Sequence, residues 1–326
     1  MQERRFVEPT RPGGGPPTQR SRLMLEVASE LVGTRDWPDK QVIIKLREQD
    51  APEWAYTFFA SDAPNSIGIV ASGEADFAIC NPGGVLAMAY KGAGPYPQPI
   101  PVRTIMVFPQ FDRWGFAVTA DTGITSIQDI VDRKYPLKLS LRGGRENHAV
   151  HIVTDLILAA YGFSLKDVAD WGGELRYTPG LPTAPGRLSA IASGELNAVI
   201  DEGFHNYTPR ALELGMRYLS IDEPHLQQLE KLGLRRQIAS REEFPGLHED
   251  LWTIDFSGWP AFCMESTPDE LVTKFCTALE ARKDRIPWYG DGPLDLKLMV
   301  SDHWSAPMMV PLHPAAERFW KQQGYL

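Results

Sequence analysis

Residues 71–79 read ASGEADFAI and residues 192–200 read ASGELNAVI. Each copy has the same grammar: a helix end of small residues, a glycine that stops the helix, an acidic residue, and a short apolar strand. The polar segments that follow are Cys80-Asn81-Pro82-Gly83-Gly84 and Asp201-Glu202-Gly203-Phe204-His205. A glycine loop and a helix precede each copy: Gly13-Gly14-Gly15 before a helix around Leu23, and Gly143-Gly144 before a helix over 146–161. Agreement in letters and in position implies two halves of similar construction.

Outward from the motif, strands and helices alternate. Strands are predicted over 41–46, 75–80, 102–108, 115–119, 137–141 and 197–200, and helices over 62–71, 124–131 and 146–161, with another ending over 188–192. A helix over 267–282 has Thr267 as N-cap, Pro268 in its first turn and Glu270 completing a capping box. Its inward face is predicted as Leu271, Phe275, Ala278 and Leu279. A last helix opens near Pro314, turns Phe319 and Trp320 inward and stops at Gly324. Such alternation favours an α/β fold with parallel or mixed sheets and helices on both faces.

Length and composition bound the function. The chain has 326 residues, enough for two domains, with 43% hydrophobic and 23% charged residues. Its net charge of -9 argues against a nucleic-acid partner or an anionic membrane surface, which need surplus Lys and Arg. No stretch approaches the roughly 20 apolar residues of a membrane span, so direct membrane insertion is not expected. Cys80, Cys263 and Cys276 fit no metal spacing and read as reduced, buried thiols. Residues 1–21 lack the apolar core of a secretory signal, so a cytoplasmic location is expected if Met1 is the native start.

In open α/β sheets ligands sit beyond the carboxyl ends of the strands, where helix N-termini present unpaired N–H groups and a positive dipole end. Two such halves facing each other make a cleft suited to a small organic anion. The candidate ligand-binding residues follow from that geometry. Thr18 and Arg20, with Ser21, open the first helix, and Asn81 follows the first repeated strand. Arg142, Gly143, Gly144, Arg145 and Asn147 surround the second glycine loop, and Glu202 and Gly203 follow the second repeated strand. Arg142 or Arg145 offers a planar fork matched to a carboxylate, the alternative being an exposed surface arginine. Asn147 reads as a helix cap or a ligand contact. Glu202 would repel an anion, and so suits an ammonium or hydroxyl group, or an arginine across the cleft.

Other chemistry finds less support. His148 and His151 lie three apart on a helix but have no third ligand in sequence, so no metal is expected. GGGPPTQRS lacks the Gly-Lys-Ser/Thr of a nucleotide loop. Trp114, Trp252 and Trp259 read as core, and no cofactor is implied. Cys80 and His205 are the residues an enzyme would use.

Several segments resemble the TAXI family, the solute receptors of tripartite ATP-independent periplasmic (TRAP) transporters. They are ASGEADFAICNPGG, WGFAVTADTGITSIQDI, LSLRGGREN, LILAAYGFSLKDV, ASGELNAVIDEGFHNYTPRALELG and PLHPAAERFWKQQGYL. The resemblance implies a two-lobed, type 2 periplasmic-binding-protein fold, with a hinged cleft between two α/β sheets. Lobe 1 would comprise 1–117 plus 221–326, and lobe 2 an insertion of 118–220. It further implies capture of small carboxylates such as glutamate-like amino acids or dicarboxylic acids, a periplasmic location, and docking on membrane permease subunits. Where the family carries a Gly-Gly-Thr-Tyr-Tyr-like loop, this chain has GGGPPTQRS. The rival expectation is an enzyme on the same scaffold, a decarboxylase or desulfinase-like lyase using Cys80 or His205.

Overall fold

A computed structural model describes residues 19–34, 41–47, 55–61, 65–143 and 148–326. The chain divides into two units, Met1–Lys40 and Gln41–Leu326. The first contributes helix α1 (Gln19–Thr34). The first glycine loop lies outside the described residues.

The second unit opens with strands β1 (Gln41–Arg47) and β2 (Ala55–Ser61), paired antiparallel. Helix α2 (Ser66–Ala71), strand β3 (Phe77–Ile79), helix α3 (Gly83–Lys91) and strand β4 (Val102–Phe108) follow. Next come β5 (Gly115–Thr119), α4 (Ile127–Asp132), β6 (Lys138–Gly143), α5 (Ala149–Ala160) and α6 (Leu165–Asp170). Strand β7 (Glu174–Pro179), α7 (Leu188–Ala192), β8 (Ala198–Asp201), α8 (Phe204–Glu213) and β9 (Met216–Tyr218) complete a second sheet. Helix α9 (Glu223–Leu232) leads to the hairpin β10 (Arg236–Ala239) and β11 (Leu251–Ile254), then to β12 (Trp259–Met264). Helices α10 (Asp269–Arg282), α11 (Leu296–Val300) and α12 (Pro314–Gln322) end the chain.

Two five-stranded mixed sheets result, ordered β1-β2-β3-β12-β4 and β7-β6-β8-β5-β9. This is the expected α/β class. The two ASGE segments fold alike, bond for bond. Ser72 Oγ donates to Ile69 O at 3.0 Å and Ser193 Oγ to Ala190 O at 3.2 Å. Each serine also bonds the following glutamate at 3.1 Å. Asp76 accepts from Thr57 N on β2 (2.7 Å), and Asn197 accepts from Lys138 N on β6 (2.8 Å). Each motif thus ties its strand to a parallel neighbour.

The chain crosses between the sheets along two segments that pair with each other. Trp114 N donates to Ile254 O at 2.9 Å, Phe256 N to Asp112 O at 2.9 Å and Gly258 N to Gln110 O at 2.8 Å. The largest apolar cluster runs without a break from one sheet to the other. It joins Ile67, Val85 and Met88 to Leu139, Leu141, Val153 and Ile157, with Leu226, Leu229 and Leu234 between them.

Some local expectations need correction. Helix α10 begins at Asp269; Pro268, with φ -55° and ψ 134°, is its N-cap, and no side-chain cap forms. Proline has already fixed a non-helical boundary there, so Thr267 stays outside. Ala278 is exposed, and Val272 and Cys276 join Leu271 in the buried face. Trp252 is 41% exposed on β11, where Arg236 lies 5.9 Å from its ring. Trp114 is fully buried, as expected, with Nε1 donating to Thr154 Oγ1 at 2.9 Å. All three cysteines are free and buried.

Candidate functional site

Strand β6 runs parallel to both β7 and β8, so the carboxyl ends at Gly143, Pro179 and Asp201 share one edge. Helices α5 and α8 begin at that edge. Arg142, next to the end of β6, donates from Nε to Asp201 Oδ1 and Oδ2 at 3.0 and 3.2 Å, and from Nη2 as well. Asp201 is fully buried and also accepts from Arg187 Nη1. Arg187, equally buried, bonds Ser140 Oγ (3.0 Å) and Gly180 O (2.7 Å). Burying ions costs several kcal/mol each in the absence of partners. One carboxylate shared by two guanidiniums offsets that cost and fixes where Arg142 sits.

Glu202 lies beside this pair, with Oε1 3.8 Å from Arg142 Nη2 and 3.4 Å from His148 Nε2. His148 is the N-cap of α5, and its Nδ1 accepts from Val150 N at 3.2 Å. That bond needs the Nδ1 lone pair, so the ring proton sits on Nε2, facing Glu202. One turn on, burial holds half-buried His151 below the usual imidazole range; its ring lies 5.9 Å from that of Tyr177.

Asp112 enters from the first crossover. It accepts from Gly203 N (2.8 Å), Phe204 N (2.9 Å) and Arg113 N (2.7 Å), so it satisfies the opening N–H groups of α8. Burial pushes its carboxyl up to about 6, opposed by those three bonds and aided by the Asp201 charge. Gly203 has φ +76°, and a side chain there would meet Leu181 Cδ2 at 2.5 Å. Only glycine fits.

On the first sheet, β2 and β3 are parallel. After β3 come Cys80, Asn81 and Pro82, joined through a cis Asn81–Pro82 peptide, and α3 starts at Gly83 without a side-chain cap. Ser66, which opens α2 at this edge, is fully buried, and its Oγ has no hydrogen-bond partner among the described residues. Burial, and then the nearby Cys80, raise the hydroxyl pKa of Tyr96.

Of the expected ligand-binding residues, Arg142, Gly143, Glu202 and Gly203 gather on the second sheet's edge, and Asn81 stands at the end of β3. Arg142 meets Glu202 on its own side rather than across a cleft. Thr18, Gly144, Arg145 and Asn147 lie outside the described residues, as does the side chain of Arg20. The N-cap of α5 is His148, and no group of three or more metal-ligating side chains occurs among the described residues. Sequence reasoning did not single out Asp112, Arg187, Asp201, Ser66 or Tyr96. Asp201 alone carried a signal, since it directly follows the second repeated strand.

The family follows from the sequence over most of its length: the NMT1-like family matches residues 55–324. The chain belongs to the NMT1-like family. No curated protein matches this NMT1-like chain. Among solved structures it is similar to "a periplasmic transporter" (16% identity, 81% of each chain covered, TM-score 0.35). It is similar also to lactococcal OpuAC, complexed with glycine betaine in a closed-liganded conformation (12% identity, 81% of this chain and 82% of that one, TM-score 0.37). A third is the glycine/betaine/L-proline-binding protein ProX of Borrelia burgdorferi (16% identity, 61% and 60% covered, TM-score 0.35).

The two residues an enzyme would use sit in different surroundings in this NMT1-like protein. Burial pushes the Cys80 thiol up to about 12, so it stays neutral at neutral pH, the wrong state for a nucleophile. His205 lies with its ring 4.5 Å from that of Phe111 and its Nε2 3.4 Å from Arg113 and 3.3 Å from Glu243.

Proposed function

We propose that this chain is a solute-binding protein that captures a small organic anion, amino-acid-like in character, between two lobes. The paired crossovers at 110–114 and 254–258 serve as the hinge of a type 2 periplasmic-binding fold, with β5 to β11 on the second lobe's side. The observation that carries this reading is the edge where Arg142, Glu202 and His148 meet the openings of α5 and α8. Arg142 is held by Asp201 with its side chain still 12% exposed, a preorganised fork for a carboxylate. Glu202 beside it favours a ligand that also carries an ammonium or hydroxyl group. The unpartnered Ser66 hydroxyl supports a polar contact from the other wall. By its resemblance to TAXI receptors the protein serves a TRAP-type permease from the periplasm. A lyase reading gains nothing from the neutral Cys80 thiol.

The test is a thermal-shift screen of amino acids, dicarboxylates, aromatic acids and phosphates, followed by analysis of each hit for turnover. Saturable stabilisation is expected, about 2.7 kcal/mol at a hundredfold excess over Kd, with the ligand recovered unchanged. Arg142→Gln should abolish it. Product formation that Cys80→Ser or His205→Ala removes would instead establish an enzyme.

A further inference from the structure

We infer that the unliganded protein rests closed, held by an apolar clasp between the loop joining α3 to β4 and helix α5. This rests on reading the two sheets as hinged lobes.

The loop is a stiff projection of the first sheet's unit. Both its ends are tied to α3: Ala93 N donates to Met88 O at 3.0 Å, and Ile100 N to Ala89 O at 2.9 Å. Its tip sits against the second sheet's helix. A side-chain carbon placed on Gly94 would lie 3.5 Å from Leu156 Cδ1, in ordinary van der Waals contact with α5, and 2.7 Å from Met88 Sδ on the loop's own helix α3. Tyr96 and Ile100 on the loop, and Ile152 and Leu156 on α5, all pack against the apolar cluster that spans both sheets. Ile152 and Leu156 are four residues apart and share one face of α5.

A second tie holds the same helix. Helix α9 contributes Leu226 and Leu229 to that cluster, and Asp222 N before it donates to Tyr161 Oη, just past α5, at 3.0 Å. The chain then reaches α3, where a carbon on Gly84 would sit 3.1 Å from Leu234 Cδ2. Opening the hinge must strip these apolar faces from each other and expose them to water, which is unfavourable in proportion to their area. Closure therefore does not wait for ligand. Because α5 also carries His148 and His151 at its first turn, the clasp and the candidate site move as one body. Ligand enters through a minor open state, and the population of that state limits association.

Spin labels at Lys166→Cys on α6 and Thr277→Cys on α10, both exposed positions, report the distance between lobes by double electron–electron resonance. The protein is unfolded, dialysed and refolded first, to remove any bound solute. The pair is measured in the otherwise native chain, in Leu156→Ala and in Leu156→Asp, with circular dichroism confirming the fold. One narrow distribution is expected in the native background, broadened in Leu156→Ala and shifted to longer distances in Leu156→Asp. If Leu156→Asp fails to fold, Leu156→Ala decides. A broad or two-peaked distribution in the native background overturns the clasp and leaves hinged lobes intact. The same narrow distance in every variant overturns both.

Discussion

Cys80 and Asp201 occupy the same place in the two ASGE repeats, and no two residues in the described structure show more clearly what a motif does and does not determine. Up to that position the copies agree in conformation. Gly73 and Gly194 both stop their helices in the left-handed region, at φ +79° and +77°. Beyond it they diverge. Cys80 is a buried neutral thiol whose Sγ lies 3.6 Å from Pro82 O. Asp201 is a buried carboxylate shared by Arg142 and Arg187. The repeated part is backbone geometry, set by small residues and glycine. The divergent part is charge, set by partners that the motif does not contain.

The strongest way to break this contrast is to neutralise each residue in turn. Asp201→Asn leaves two buried guanidiniums short of a counter-charge and should cost ~3–5 kcal/mol in urea unfolding. Cys80→Ala removes only a sulfur's packing and should cost about 1 kcal/mol. Equal losses would refute the assigned asymmetry.

Asp112 sharpens it further. Its folded pKa of about 6 lies above the usual 3.8, so the unfolded state ionises first. Its contribution to stability is complete below pH ~3.8 and is lost as pH rises through about 6, amounting to at most about 3 kcal/mol. Asp112→Asn should flatten that stretch of the stability–pH curve, whatever its effect on absolute stability.

The smallest expected effect tests the sameness of the copies. A side chain at Gly73 or Gly194 meets nothing within 4 Å, so only backbone strain opposes it. Gly73→Ala and Gly194→Ala should each cost ~1–2 kcal/mol and agree within about 0.5 kcal/mol.

The same division explains what the sequence made legible. Period, glycine and proline located β4 and β5 to the residue and placed the α/β class. Helix α10 was misread by one residue because Thr267 and Glu270 imitate a capping box that Pro268 forestalls. The hairpin β10–β11 carries little alternation, and Trp252, which looks like core, faces outward over Arg236. At the site, Arg142 and Glu202 were legible because each adjoins a glycine that marks a strand end. Asp112 and Arg187 were not, since their roles depend on contacts across 91 residues to Gly203 and 14 to Asp201. No spacing rule encodes such pairs.

The three thiols carry a last consequence. Burial pushes Cys80, Cys263 and Cys276 each up to about 12, so almost none is thiolate at neutral pH. An odd cysteine count usually invites mispaired cross-links wherever oxidants are abundant. Here the native fold itself withholds every sulfur, and a maleimide reagent should label the chain only after denaturation.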